Sequence, residues 1–535
     1  MYHVASRCSL TSLTSLTSLI RPPFSFRHMQ QPMQHANLHR ECSGDSPRSK
    51  RVKSLGEDAG DNDRAGDRET AGSVQRTMTA TSASASARPG RRPEAPPPQL
   101  LSVAPMMDYT DVHYRQLARL MSRNTWLYTE MVVDQTILHN PDHDRFLAFP
   151  PEQHPISCQL GGSNPETLAK AARIVARYGY DEINLNCGCP SDRVAGAGCF
   201  GAAMMLTPEL VAACCKAMED AVAEGPIENG NGANGANGAN VANRANGASA
   251  SSCRPPEITV KCRIGVDDED SYDAMHRFVS VVSENSGVRH FIIHARKCLL
   301  NGLSPHQNRT VPPLRYEWLL ALKRDFPHLK FSLNGGVLTL DEAVASMEAD
   351  PRGARNDSVA PTNDNDDENL RDIYGVMIGR AAYNQPWHVL SAADTDVFGA
   401  ETNPARNRKE VLYAYASYAD AQIGSQCVKP DGHKVPSLRV VTKPILGMFS
   451  NEPRGKKWRA AIDRELRVCE TLTEVLDKTL GVLPEDVLMR EPQAGAVVRE
   501  GSAWGRLVPS LGRTLPAVGS GDAAGTVPGA GNADG

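Results

Sequence analysis

Between residues 100 and 400 one alternation repeats eight times: a short, β-rich apolar run, then a run with helical periodicity. The strand-like runs are LLSVAP (100–105), WLYTEM (126–131), PISCQL (155–160), DEINLN (181–186), EITVKC (257–262), HFIIHA (290–295), KFSLNG (330–335) and YGVMIG (374–379). Helical patterns at 111–121, 165–178, 207–223, 271–285, 314–325 and 339–348 lie between them, and the segment after Met131 carries the weakest helical pattern. Near-continuous apolar strands separated by helices imply parallel strands buried on both faces. Eight such units predict an α/β chain folded as a TIM (β/α)8 barrel over residues 98–400. The rival is a doubly wound open sheet, which usually carries a glycine-rich phosphate loop after its first strand. Here that strand runs into PMMDYTD, which has no glycine.

The remainder of the chain is of different composition. Residues 404–488 read as helices alone, with strong charge alternation in RKEVLYAYASYADAQI and KKWRAAIDRELRVCETLTEVLDKTL, so a small all-helical domain is expected after the barrel. An insertion at 421–436 interrupts it. Aromatic residues are only 5% of the chain, against 43 glycines and 37 prolines, which points to long stretches that do not fold. These are expected at 41–97, in the Asn-Gly-Ala tract of 225–256, in the acidic stretch 350–370 and in the tail 489–535. None can bury enough apolar area to offset its ordering entropy.

Residues 1–40 contain no Asp or Glu, are rich in Ser and Thr, and carry Arg7, Arg21, Arg27 and Arg40. This reads as an organelle transit peptide and places the protein in a chloroplast or mitochondrion, or otherwise in the cytoplasm. The 13 cysteines lack paired spacing and mostly sit in apolar runs, as expected of free thiols in a reducing compartment. No apolar run is long enough to span a membrane. The net charge of −4 excludes a chain that is basic throughout, so any nucleic-acid contact must come from a local patch.

Barrel chemistry sits at the carboxyl ends of the strands. Polar and glycine residues gather there: Pro105, Met106 and Met107; Gln159; NCGCP (186–190); Lys261 in KCR; His294 in HAR; Asn334, Gly335 and Gly336; Gly379 and Arg380. Glycines after the last two strands let backbone N–H groups approach a phosphate, and Arg380 adds charge. Lys261 suits the negative charge of a reduced isoalloxazine, while Gln159 and Asn334 suit ring or ribitol polar atoms. Together these read as a flavin mononucleotide (FMN) site. For any one residue, loop capping explains it as well; seven sites in register are harder to explain that way. Cys189 lies in a tight turn at the mouth, where a thiol can donate a proton. Zinc would need two further ligands at finger-like spacing, and none is evident, so no metal is expected.

The chain resembles the tRNA-dihydrouridine synthase family, and within it the branch acting at tRNA positions 20 and 20a. The resemblance rests on SVAPMMDYTDVHYR, LMSRNTWLYTEMV, HPISCQLGGSNPETLA, GYDEINLNCGCPSDRV, FGAAMM, VKCRIGVDDEDSY, FIIHARKCLLNGLSPHQNR, LKRDFPHL, FSLNGGV and VMIGRAAYNQP, and extends through LGMF and KKWR. It implies a TIM barrel with FMN, NADPH as reductant, tRNA as substrate and a helical RNA-binding domain; a monomer is expected. It implies that Cys189 is the acid that protonates the base. It assigns the flavin to Pro105, Met106, Met107, Gln159, Lys261, His294, Asn334, Gly335, Gly336, Gly379 and Arg380. Asn186 would touch the target base, and His306, Arg309, Lys456 and Arg459 would touch tRNA. His306 stands where the branch often has lysine. Lys456 stands where arginine is common, which exchanges a bidentate fork for a point charge. The alternatives are an FMN barrel acting on a small molecule and a catalytically silent tRNA-binding protein.

Overall fold

A computed structural model describes residues 95–190, 200–224, 254–348, 373–493 and 518–519. The expected transit peptide, most of 41–97, nearly all of 225–256, the stretch 350–370 and nearly all of the tail lie outside the described residues.

All eight anticipated strands form: β1 Leu101–Val103, β2 Leu127–Tyr128, β3 Ile156–Gly161, β4 Glu182–Cys187, β5 Glu257–Arg263, β6 His290–His294, β7 Lys330–Asn334 and β8 Gly375–Ile378. They pair in parallel in the order β1-β8-β7-β6-β5-β4-β3-β2. The ring closes where Ser102 meets Trp126: the Val103 N–H donates to Trp126 O at 2.9 Å and the Trp126 N–H to Leu101 O at 2.9 Å. The protein is therefore a TIM-like (β/α)8 barrel. Strands β3 and β4 are buried along their whole length, as parallel strands walled by helices must be.

The helices follow from caps and apolar stripes. Helix α1 (Val112–Met121) starts where the Asp111 carboxylate accepts the Tyr114 N–H at 2.8 Å. Helix α2 (Pro165–Ala176) has Pro165 at its first position and Asn164 accepting from the N–H groups of Glu166 and Thr167. Helices α3 (Pro208–Ala223), α4 (Tyr272–Asn285), α5 (Tyr316–Asp325) and α6 (Leu340–Glu348) complete the long outer helices.

Two regions depart from the sequence pattern. After Met131, Val132–Val133 pairs with Leu160 and Gly161, and only the short helices Asp134–His139 and Asp144–Leu147 follow. Pro141, without an N–H and with a fixed φ, separates those two turns. The second departure is in the carboxyl-terminal region. Helices α7 (Arg408–Gln422), α8 (Gly455–Glu465) and α9 (Leu472–Thr479) are present, but 421–436 holds an antiparallel hairpin, Cys427–Val428 against Lys434–Val435. Its turn is Pro430-Asp431-Gly432, with Gly432 at φ +82°, a value that suits a residue without Cβ. The helices pack on the barrel wall beside α1: the rings of His113 and Tyr418 meet, with Nδ1 and the hydroxyl 3.2 Å apart.

Candidate functional site

The barrel's carboxyl ends bring the strand-end residues into one mouth. At its centre is a chain of neutral amides. Gln159, on β3, donates through Nε2 to Asn184 Oδ1 at 2.8 Å, and Asn184 donates to Thr259 Oγ1 at 2.8 Å. On the next strands Lys261 Nζ donates to Asn334 Oδ1 at 3.0 Å, and Asn334 Nδ2 donates to Met377 O at 2.7 Å. These bonds join β3 to β4, β4 to β5, β5 across the mouth to β7, and β7 to β8, which fixes side chains that would otherwise sample several rotamers.

Cys189 follows β4 in a turn shaped by Asn186. The Asn186 Oδ1 accepts from the Gly188 N–H at 2.9 Å and the Cys189 N–H at 3.2 Å, while its Nδ2 faces Met131 Sδ and Gln159 Oε1. The outer side of the turn is held by Arg263, at the end of β5. Its Nε donates to Gly188 O at 3.0 Å, and its Nη1 to Lys297 O at 3.0 Å and Asn308 O at 2.8 Å. Asn308 is fully buried and staples its own loop, accepting from the Leu299 N–H at 2.9 Å. The turn bearing Cys189 and the loop bearing His306 and Arg309 therefore hang from one guanidinium. The sequence marked KCR as a strand-end cluster but gave Arg263 no task; a buried arginine among apolar strand residues was the available signal.

Around the amides lies a group of cations: Lys261, Arg263, Arg296, Arg309 and Arg380. Burial chiefly, with Arg263 adding repulsion, pushes the Lys261 ammonium down to about 8. Burial and then Arg263 and Lys261 hold His294 well below the usual imidazole range, so it is neutral at pH 7. Burial lowers Arg296 and Arg309 as well, and Arg380 repels both. The groups that chiefly act on these residues are one another, cysteines and tyrosines, rather than carboxylates. Such a cluster is suited to an anion.

Gly335 and Gly336 are at φ +103° and +82°, and a Cβ on Gly335 would stand 2.4 Å from His294 Cδ2. The Tyr316 hydroxyl donates to Gly335 O at 2.6 Å and fixes this turn. Pro105 and Met106 are half-buried at the end of β1, and Met107 is exposed. Arg380 and His306 are also exposed. Lys456 and Arg459 are not part of the mouth. They line a separate open groove of about 450 Å³ in the helical region, with Phe449, Asn451, Arg454 and Lys457. Glu452 also lines it and pairs with the buried Arg408 at 2.6 Å and with Arg490 at 3.1 Å. No cluster of potential metal ligands occurs among the described residues, and no described helix is long and apolar enough to cross a membrane.

Fold and site together define a (β/α)8 barrel whose polar and cationic residues gather at the carboxyl ends of its strands. The pattern of the dihydrouridine synthase (Dus) family matches residues 102–228 and 251–353. The chain is 40% identical over 387 residues to the tRNA-dihydrouridine(20/20a) synthase of Vibrio parahaemolyticus, covering 72% of this chain and 98% of that protein. The proteins of the same name from Synechocystis and Escherichia coli K12 are each 38% identical, and 93% and 91% of their lengths are covered. The chain belongs to the tRNA-dihydrouridine synthase family. Among solved structures, an old yellow enzyme homologue from Zymomonas mobilis matches at 11% identity with a TM-score of 0.33, covering 54% of this chain and 86% of that one; the likeness is too loose to bear on chemistry.

Proposed function

We propose that this protein reduces uridine to 5,6-dihydrouridine in the D-loop of tRNA, at positions 20 and 20a, with FMN in the barrel and NADPH as the reductant. The observation that carries the reading is the Cys189 turn, capped by Asn186 and held by Arg263 beside a carboxylate-poor cluster of cations.

The residues present fit the flavin. The Nε of Arg296 is buried without a hydrogen-bond partner among the described residues, and its guanidinium is close enough to Arg380 for the two to repel. Both are answered by one phosphate. A Cβ on Gly379 would find only ordinary contacts, 3.8 Å from Ala104 Cβ and Met106 Sδ, so packing does not demand glycine there. The bare backbone leaves room for a ligand. Gly335, Gly336, Gly379, Arg380 and Arg296 would hold the phosphate side. Pro105, Met106, Met107, Gln159, Lys261, His294 and Asn334 would hold the ring and ribitol. When bound, the flavin supplies the hydride that adds to C6 of the uracil.

The remaining work belongs to the chain. The uridine leaves its stack to enter the mouth. Cys189 Sγ gives its proton to C5 of the ring, which is a poor base until the hydride arrives, so the thiol must already be in place and protonated. Asn186 and Arg263 provide that placement from opposite sides of the turn. Arg309, with His306 near it in the same loop, and in the separate groove Lys456 and Arg459, supply the charge that holds the tRNA backbone. The test is to give the purified protein unmodified tRNA and NADPH and map dihydrouridine by mass spectrometry. Dihydrouridine at 20 and 20a is expected; none at either position overturns the reading.

A further inference from the structure

Four of the exposed large apolar side chains sit on loops at the barrel mouth: Met107, Tyr109, Val311 and Leu338. Tyr109 is the aromatic one, and its loop is built to hold it still. The Tyr109 and Thr110 N–H groups both donate to Met106 O, at 3.2 and 3.0 Å, and the Met106 N–H donates back to Thr110 Oγ1 at 3.0 Å. Asp108 adopts φ +66°, an uncommon conformation for a residue with a Cβ, and its N–H donates to Glu130 Oε1 at 2.5 Å. Such strain persists only where the surroundings over-determine it, and it concentrates at functional sites. The Tyr109 ring meets Tyr383 in a T-shaped contact at 4.6 Å between centroids, and Tyr383 in turn packs on Tyr114 at 5.3 Å. Yet 43% of Tyr109 remains exposed.

We infer that Tyr109 is a stacking platform for the nucleobase next to the target uridine; the inference rests on the proposed action on tRNA. The local charge selects a base over a phosphate. Asp108, Asp111 and Glu130 surround the loop and would repel a phosphate, whereas a base face stacks on an aromatic ring irrespective of its sequence. Arg309 lies within electrostatic reach of Tyr109 and offers the backbone a cation nearby. The topology makes the base a flanking one. The target must reach Cys189 after β4, while Tyr109 follows β1, three strands away around the ring. With the target unstacked, its neighbour loses a stacking partner, and Tyr109 replaces it.

The test compares Tyr109→Ala, Tyr109→Phe and Tyr109→Trp in the FMN-loaded protein, measuring tRNA affinity and KM separately from kcat. Tyr109→Ala is expected to raise Kd and KM about tenfold, within the span of one base–aromatic stack, with kcat at saturating tRNA little changed. Tyr109→Phe and Tyr109→Trp are expected to restore both. A tRNA with an abasic residue on one side of the target should lose the same factor against wild type and nothing more against Tyr109→Ala. Affinity within twofold of wild type in Tyr109→Ala overturns the platform, and so does failure of Tyr109→Phe to rescue. Wild-type protein that leaves tRNA unreduced overturns the proposed function instead, which separates the two failures.

Discussion

The barrel mouth and the groove of the helical region both gather cations, but by opposite means. In the mouth, Arg263 is buried and Lys261 and Arg296 are half-buried, and burial moves each of them down. Their hydrogen bonds go to an amide across the mouth and to backbone carbonyls of the loops. In the groove, Lys456 and Lys457 stand exposed on one turn of α8, and Glu452 in the same lining is paired with the buried Arg408. Enclosed charge is oriented, rigid and little screened, which is what positioning a reacting group requires. Exposed charge is screened and mobile, which suits gripping a backbone without reading it. A substitution in the mouth should therefore appear in kcat or cofactor affinity, and one in the groove in tRNA affinity and its response to salt.

The largest expected effect is that of Cys189→Ala, a loss of roughly 10²–10⁴ in kcat, the range for removing a positioned proton donor, with FMN still bound. Next is Arg263→Ala, which leaves the thiol in place but frees Gly188 O, Lys297 O and Asn308 O together. A loss of about a hundredfold in kcat is expected, as for a reacting group misplaced by about an ångström, along with a few kcal/mol of stability. Stopped-flow kinetics with a denaturation curve separates the two components. If kcat is unchanged, Arg263 serves the fold alone.

A third, smaller effect is on pH. Lys261 falls to about 8 from an ordinary value of 10.5, so between those values the free protein holds it neutral where an exposed lysine would be charged. An anion bound beside it favours the ammonium. Binding of reduced FMN, whose ring is the anion on that side, should thus take up a proton above pH 8 and weaken as pH rises through about 8, and Lys261→Met should flatten that dependence. Titration calorimetry in buffers of different ionisation enthalpy measures the uptake directly. The smallest effect belongs to the groove. Arg459→Ala should weaken tRNA binding a few-fold and reduce the salt slope by about one. Unchanged affinity across salt would detach the groove from the substrate.

Most of the barrel was legible in the sequence because parallel strands buried on both faces leave continuous apolar runs, as in EITVKC and HFIIHA. Val132–Val133 escaped because two residues set no period. The hairpin at 427–435 escaped because its turn, Pro430-Asp431-Gly432, sits inside a segment otherwise patterned for helix. In the site, the strand-end residues could be picked out, since each follows its strand directly. Arg263 could not be given its task, because its meaning lies in three carbonyls supplied by two loops distant from it in sequence. Tyr109 was quoted within a motif, but only its exposure and the strained backbone beneath it set it apart.

The central claim is that the mouth performs the reaction and the groove only holds the substrate. The direct test is single-turnover dihydrouridine yield at saturating tRNA for Cys189→Ala beside Arg459→Ala. Arg459→Ala should recover a wild-type yield once saturated, while Cys189→Ala should stay near zero at any tRNA concentration. Recovery of Cys189→Ala at saturation, or a deficit in Arg459→Ala that saturation does not remove, would contradict the account.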